Sequence, residues 1–517
     1  MPFPDSSDRD RRLTLDRLAV PDFPRMLDKW RLCDDVFAGE LAVKAQADRY
    51  IYRPVSKSGR GDAAKKAWQA YVGRGKLSKL PRQTLEKITG TLTAKPPVAT
   101  FAGRAEELEP MREIATPFSD GLDALFSRVV YNVLKYGRYC MLLEPEDDGF
   151  HINEYRPEKF LRAVPDYDET GRSYARMVLL DTSSIDYVLS EWRSVYRPKL
   201  TVLGLDGAGR YFQTNIGGVE IAVRDFDAAG RPVLESEREY REGMTAILDA
   251  LRRFDVTAPV PGDLAEVVYP TRYGRPLDRI PFTCCNSGDL NFARFADPPL
   301  LDVCLLSLHA LNADCDHQQA IFLTTDPLPT FTGLDERSGA DGKAVNLTPD
   351  RALKLTGDAD FKFVSAPAQG LDMQAANIKN ILDEARLLSL AVSGIEDSGN
   401  TSGVALELKQ EYRTADIRLI NQTCAKAIEE QLRCAGRWLG MDSPTAAEDI
   451  KYTPARDLAK LKPTLSDAKV LADVAERFSL TRQELREWAE SNLGIEHRDF
   501  DEVLAALDAE KIESSTF

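Results

Sequence analysis

The stretch "RIPFTCCNSGDLNFARFADPPLLDVCLLSLHALNADCDHQQAIFLTTDPLPTFTGL", residues 279–334, changes character in its middle. "RIPFTCCNS" reads as a strand. Asp297 is a good helix N-cap residue and Pro298 suits a first helical turn. The run that follows can continue as one helix for about 25 residues, or ~37 Å at 1.5 Å per residue. Its first half is apolar nearly all round and its second half is polar, so one end belongs among neighbours and the other is wetter. Asp302 and His309 interrupt the greasy part, which is too short to span a bilayer.

Downstream, residues 323–372 form an insert rich in Pro, Gly and Asp, with short β-like pieces such as "LPTFTGL" and "FKFVSA". A second helix is expected over 373–396, "MQAANIKNILDEARLLSLAVSGIE". The loop after it, "DSGNTSG", has the composition of a mobile surface segment. It opens directly into a long helix, expected from Val404 to Leu439. The apolar row Val404, Leu408, Tyr412, Ala415, Leu419, Cys424, Ile428, Leu432, Ala435, Leu439 has spacings mostly of three and four, and so follows one side of a single helix of ~54 Å. A mobile loop at the end of such a beam suggests a moving part. After Gly440, "AAEDIKYTPARD" reads as a strand and the remainder as helices, with Thr481 and Glu484 at capping-box spacing.

Upstream, residues 22–53 begin helical and end extended, and two more helices lead to the Pro96-Pro97 stop before a strand. "GLDALFSRVVYNVLKY", residues 121–136, has one apolar face, and Gly137 is a natural residue just past its end. "RYCMLLEPEDDGFHINEYRP" then reads as a hairpin turning at Asp148-Gly149. Residues 175–285 alternate short β-rich runs with turns, giving a mostly antiparallel sheet with an acidic helical insert at 236–253.

Composition sets limits on function. The chain has 517 residues, enough for two to four structural units, with 43% hydrophobic and 29% charged residues and a net charge of −15. An acidic chain is poorly suited to gripping nucleic acid, because neutralising phosphates with Lys and Arg supplies most of such affinity. Nucleic acid that slides past without sticking remains compatible with it. The N-terminus has no apolar core of signal-peptide length, and the eight cysteines contain no C-x-x-C pair, so a soluble protein of a reducing cytoplasm with buried free thiols is expected.

Enzyme signatures are sparse. There are four histidines; His309 and His317 lie eight apart, not at the i, i+4 spacing of a helical metal chelate. "GLDGAGR" and "GRGKLSK" do not match the phosphate-loop pattern, and no G-x-S-x-G occurs. The acidic runs Asp34-Asp35 and Glu144–Asp148 could serve as general acids or metal ligands, or simply be solvated turns and helix faces. Neither a metal site nor a cofactor is expected.

Three stretches carry a resemblance: "KWRLCDDVFAGELAVKAQADRYI" with "LTAKPPVATF", "VLKYGRYCMLLEPE" with "INEYRPEKF", and the segment quoted first; "NTSGVALELKQEY" adds a fourth. In this order the chain resembles the portal (head–tail connector) proteins of tailed bacteriophages, within a portal-like family first catalogued as a domain of unknown function. The resemblance covers about residues 20–500 and implies an α+β portal fold. Residues 1–296 would be a mixed α/β wing, 297–322 and 373–396 stem helices, and 323–372 a small β-containing clip. Residues 397–403 would be a tunnel loop, 404–440 a long wing helix, and 441–517 a wing strand and helical crown.

The resemblance further implies a dodecameric ring in the virion, at one capsid vertex, with double-stranded DNA in its channel. The large terminase, a head–tail adaptor and the major capsid and scaffold proteins would be its partners; no membrane is involved. Glu396, Asp397, Ser398, Gly399, Asn400, Thr401, Ser402 and Gly403 would face DNA. Arg337, Asp341, Lys343, Asp350, Lys354, Asp358 and Asp360 would lie in the docking clip. Leu301, Leu305, Leu308, Ile378 and Leu382 would serve the stem and the ring interface, although the apolar half of the first stem helix could equally fill its own subunit's core. Such a protein has no catalysis of its own. The alternatives are a phage-encoded metal-dependent hydrolase or nuclease built on the acidic clusters, and a monomeric or small-oligomer scaffold protein.

Overall fold

The computed structural model describes residues 18–454, apart from 56–60, 147–148, 168–172, 190–191, 227–231, 261–264, 326–327, 333–359, 365–369, 394–402 and 442–447. The chain divides into two compact units, one of residues 1–93 and 97–454, the other of 94–96 and 455–517. The helices expected after residue 457 lie outside the described residues.

The first unit is mixed α+β. Its N-terminal layer contains the helices Phe23–Ala38, Asp62–Arg74 and Leu80–Thr93. Gly39, at φ +106°, ends the first of these, and two short helices, Glu40–Ala45 and Ala47–Tyr50, lead to the extended segment expected there. Helix Leu122–Tyr136 buries Leu125, Phe126, Val129, Val130 and Val133, the face the sequence pattern predicts. Gly137 closes it at φ +76°, its N–H donating to the Val133 carbonyl at 2.8 Å. A Cβ at Gly137 would sit 2.7 Å from the Asp297 carbonyl oxygen, so this turn is also where the body meets the segment that leads into the first long helix.

Strand Arg138–Pro145 follows at the centre of a three-stranded antiparallel sheet, between Phe282–Asn286 and Phe150–Tyr155. Two further sheets fill residues 160–268. One has five strands in the order 265–268, 211–216, 200–205, 173–181, 160–167; the other has four, in the order 232–234, 221–226, 193–197, 184–188. The acidic insert is the helix Glu237–Arg253, capped by the Ser236 hydroxyl, which accepts from the Glu239 N–H at 3.2 Å. Phe23, Met26 and Trp30 of the first helix share one core with Val202 and Ile216 of the five-stranded sheet and with Tyr240, Met244 and Ile247 of the insert.

The long helix runs from Gly403 to Trp438, 36 residues or ~54 Å. From Ile417 onward it is buried on most of its circumference rather than along one side. Cys424, Ile428, Leu432, Ala435 and Leu439 are buried as the row predicts, but Leu419 is 45% exposed, and Ala425, Gln431, Cys434 and Trp438 are buried off the row. The reason is that neighbours surround it. Gln431 donates to the Thr283 hydroxyl at 2.6 Å, and Glu429 accepts from the Tyr452 N–H at 2.8 Å. Tyr452 belongs to strand Ile450–Thr453, which pairs antiparallel with Val98–Phe101. A segment near the end of the first unit thus closes a two-stranded sheet with one near its start.

Candidate channel helices and their surroundings

The first long helix runs Leu301–Thr325, starting four residues after Asp297. Two consecutive prolines explain the delay, since a residue before proline is pushed to extended backbone and both Asp297 and Pro298 precede one. Instead of capping, Asp297 pairs with Lys29 of the first helix, and the Leu301 N–H closes a turn on the Pro298 carbonyl at 3.0 Å.

The second helix, Leu371–Ser393, lies against the first. Between them, strands Leu328–Thr332 and Asp360–Val364 pair antiparallel, Leu328 opposite Val364 and Thr332 opposite Asp360. His317 Nδ1 is 3.4 Å from Gln374 Oε1 across the pair. The order is therefore helix, paired strands, helix, and then the long helix returning into the body.

A polar seam that the sequence reading missed fixes the first helix to the N-terminal layer. Asn312 accepts from the Tyr52 N–H at 2.8 Å and donates to the Tyr50 carbonyl at 2.9 Å. Asp314 accepts from the Lys76 N–H and Asp316 from the Tyr71 hydroxyl, at 2.8 and 2.7 Å. Gln319 accepts from Arg74 at 2.8 Å, and the Arg74 guanidinium lies 3.9 Å from the Phe322 ring centre. Burial and Asp316 together push the Tyr71 hydroxyl well above its usual range. The second half of this helix is polar because it is tied by hydrogen bonds, not merely because it is wet. The spacing of Asn312, Asp316 and Gln319 along one face was the available signal.

Cys304 contacts Cys33, and this contact, with burial, drives the Cys304 thiol pKa upward. Cys315 is pushed up to about 11 by burial. All eight cysteines are buried free thiols, as expected, and the Cys285 and Cys424 sulfurs are 3.9 Å apart.

The strand feeding the first helix is held by Arg138, a fully buried cation. Its Nε donates to Asn286 Oδ1 and its Nη2 to the Phe292 carbonyl, both at 2.9 Å, and Nη2 also reaches the Arg294 carbonyl. The rings of Phe295 and Phe160 flank the guanidinium at 4.2 and 5.2 Å. Arg138 thereby fixes the route from strand Phe282–Asn286 to Pro298.

The predicted residues fall in different places. Leu301 and Leu308 are buried inside the chain, Leu305 is 45% exposed, and Ile378 and Leu382 are half-buried. Gly403 is the first residue of the long helix, whereas Glu396 to Ser402 lie outside the described residues. Asp360 opens the second strand of the insert; Arg337, Asp341, Lys343, Asp350, Lys354 and Asp358 lie outside the described residues.

The acidic runs do not converge. Asp34 accepts from the Tyr136 hydroxyl at 2.6 Å and pairs with Lys135 at 2.5 Å, and Asp35 accepts from the Tyr50 hydroxyl at 2.5 Å. Glu144 accepts from Gln213 at 2.9 Å and flanks His151, whose other nitrogen is 3.1 Å from Glu146. Among the described residues no group of three His, Cys, Asp or Glu side chains could hold a metal ion. No described helix is long and apolar enough to cross a membrane.

A family model described as a domain of unknown function (DUF4055) matches residues 299–439, the span from the first long helix to the end of the last. No curated protein matches the chain. Among solved structures, the chain is similar to one from the neck of an empty gene transfer agent (GTA) particle computed with C6 symmetry. That match has 16% identity over 89% of this chain and 99% of the other, with a TM-score of 0.35. It is also similar to one from the neck of the native GTA particle computed with C12 symmetry, at 13% identity over 88% and 99%, TM-score 0.35. A chain from the native GTA virion matches at 13% identity over the same shares, TM-score 0.33.

Proposed function

We propose that this protein is a phage portal. It would form a ring at one capsid vertex, through which the large terminase drives double-stranded DNA and from which the genome later leaves. The observation that carries the reading is the order of parts: an α/β body, a helix, a paired-strand insert, a returning helix, and a long helix re-entering the body. In such an order the helix pair would serve as a stem braced by the body, and the paired-strand insert between its helices as a docking clip. The protein acts as a conduit rather than a catalyst. Its net charge of −15 suits passage of DNA, since each phosphate neutralised would add to trapping.

In this reading Glu396 to Gly403 form the loop that yields to DNA, and 323–372 is the clip that meets terminase and later the head–tail adaptor. Ring closure needs two different surfaces meeting head to tail. Negative-stain images of the purified protein test the core of the proposal. Rings with a central hole are expected; uniformly monomeric particles overturn it. Replacing 323–372 by a short linker is expected to leave folded protein that no longer binds terminase, and retained binding refutes the clip assignment.

A further inference from the structure

Six of the eight buried cysteines meet in three pairs: Cys33 with Cys304, Cys285 with Cys424, and Cys140 with Cys284. The last pair differs from the others in position and in company. Cys140 and Cys284 lie directly opposite each other in the ladder between strands Arg138–Pro145 and Phe282–Asn286. Just beyond that register, the Leu143 N–H donates to the Pro281 carbonyl at one end and the Ser287 N–H to the Gly137 carbonyl at the other, both at 3.0 Å. Hydrogen-bonded and non-hydrogen-bonded pairs alternate along an antiparallel ladder, so counting in twos from either end leaves Cys140 and Cys284 at a non-hydrogen-bonded pair. At such a pair the Cα atoms are about 4.5 Å apart and the side chains are at their closest, within the ~4.4–6.8 Å that a disulfide spans.

Two residues along the same face of the sheet stands Arg138, opposite Asn286. Its guanidinium is fully buried, and its Nη1 has no hydrogen-bond partner. Burial raises the Cys284 thiol pKa, but the Cys140 hydrogen bond and the Arg138 charge outweigh it, so the net shift is downward; Asp289 acts in the opposite sense. Burial and the Cys284 contact push the Cys140 thiol well above its usual range. The thiols of Cys304 and Cys285 are also pushed up, by the sulfur each one meets and by burial. Cys284 thus differs from the other paired thiols in having a buried cation close by on its own face of the sheet.

We infer that Cys140 and Cys284 are a redox modification site, a dithiol that a small peroxide closes to a disulfide, with Cys284 as the attacking sulfur and Cys140 as the resolving one. The thiolate is the nucleophilic form of cysteine, and the Arg138 cation favours it at Cys284. Cys284 loses its proton and its sulfur attacks one peroxide oxygen. The O–O bond breaks, a sulfenic acid forms on Cys284, and the hydroxide released takes up that proton as water. The Cys140 sulfur then attacks the Cys284 sulfur, the S–O bond breaks, and the hydroxide leaves as a second water with the Cys140 proton. Two thiols are oxidised to one disulfide, and one peroxide is reduced to two waters. Cys140 and Cys284 are 0% and 2% exposed, so the oxidant has to be as small as hydrogen peroxide. The bond ties strand Phe282–Asn286, which leads toward the first long helix, to the central strand of its sheet, beside the Arg138 clamp.

Thiol mapping tests it. The folded full-length protein is treated with hydrogen peroxide, unfolded in the presence of an alkylating reagent and mapped by mass spectrometry. A linked pair of peptides carrying Cys140 and Cys284 is expected, lighter by about 2 Da than the two thiol peptides together. It is expected to form before any link between Cys285 and Cys424 or between Cys33 and Cys304, and to disappear on reduction with dithiothreitol. Failure of Cys140 and Cys284 to link, whether they end up alkylated or separately oxidised, overturns the inference. A link forming first at either of the other pairs overturns it too. Two variants separate the roles of the sulfurs. Cys140→Ala is expected to leave Cys284 as a sulfenic acid that dimedone captures, and Cys284→Ala to leave Cys140 unoxidised. Capture at Cys140 in place of Cys284 overturns the assignment of roles, and the wild-type map decides the inference even where a variant folds poorly.

Discussion

Helix Leu371–Ser393 and the second half of helix Gly403–Trp438 are neighbours in sequence, rich in Leu, Ile and Ala, and live in opposite surroundings. The first leaves Met373 and Leu387 mostly exposed; the second buries Ile428, Leu432 and Trp438 completely. Apolar content alone does not assign a helix to the core. What decides is the number of elements that reach it. The long helix has strand Phe282–Asn286, strand Ile450–Thr453 and helix Leu122–Tyr136 around it. The shorter helix has its partner on one side, the long helix Gly403–Trp438 on another, and helix Leu80–Thr93 on a third, where Thr84 and Ser389 share a 2.6 Å hydroxyl contact, yet no strand of the body reaches it closely among the described residues.

The contrast is broken most directly by equal truncations. Leu432→Ala is expected to cost ~2–5 kcal/mol in denaturant unfolding, the range for a buried leucine. Leu387→Ala is expected to shift stability by no more than about 0.5 kcal/mol, because the side chain is 65% exposed. Equal losses of stability would mean that Leu387 is already covered within the single chain.

Arg138→Met probes the joint between the two regions. The aliphatic replacement keeps the contact with Phe160 and Phe295 but leaves the Phe292 and Arg294 carbonyls without their buried donor. A loss of ~1–3 kcal/mol is expected, the usual penalty for unsatisfied buried groups. Limited proteolysis is expected to cut first between Ser287 and Pro298, and an unchanged cleavage pattern would show that Arg138 does not anchor that segment.

Periodicity and capping rules made much of the body legible. Helix Leu122–Tyr136 with its glycine stop, the capped insert Glu237–Arg253 and the strand near residue 450 all follow from local chemistry. Less was legible where a residue's fate depends on distant chain. Asp297 has the right type for a cap, but Lys29, 268 residues away, takes its carboxylate while two prolines hold off the helix. The row on the long helix put Leu419 inside and left out Gln431 and Trp438, because a single-face pattern assumes a single neighbour. For the candidate stem, the apolar start of helix Leu301–Thr325 left core and interface equally open. The structure buries Leu301 and Leu308 and leaves Leu305 45% exposed, on a helix whose Ser307 donates to the Ser78 carbonyl at 3.3 Å and whose Cys304 meets Cys33, both more than 200 residues upstream.

A gentler probe of the same contrast is Ser389→Ala. It removes the hydroxyl that meets Thr84, which itself also donates to the Leu80 carbonyl at 2.8 Å. Thr84 keeps that second bond, so a loss of about 1 kcal/mol is expected, the net value of one hydrogen bond. If helix Leu371–Ser393 relies on its partner helix alone, thermal unfolding will not register the change.

The smallest expected effect lies in the body and depends on pH. The hydrogen bond to Glu144 raises the pKa of His151, burial opposes it, and the charges of Glu146 and Glu144 add to the rise. Burial acts to raise the pKa of Glu144, but hydrogen bonds from His151, Gln213 and Asn153 outweigh it, so the net shift is downward. A raised histidine contributes stability that is fully present below its unfolded value of 6.5 and is lost as pH climbs through the folded value. A lowered glutamate contributes stability that is present above 4.5 and is lost as pH falls through its folded value. The pair therefore stabilises the hairpin Arg138–Tyr155 most between those two limits and progressively less toward alkaline pH. The difference is expected to be on the order of 0.5 kcal/mol, since Glu146 is largely exposed and water screens it. His151→Gln keeps a donor for Glu144 but cannot titrate. Denaturant midpoints compared at pH 6 and pH 8.5 are expected to fall further for the wild type than for this variant; parallel falls would mean that His151 carries no linked charge in the folded body.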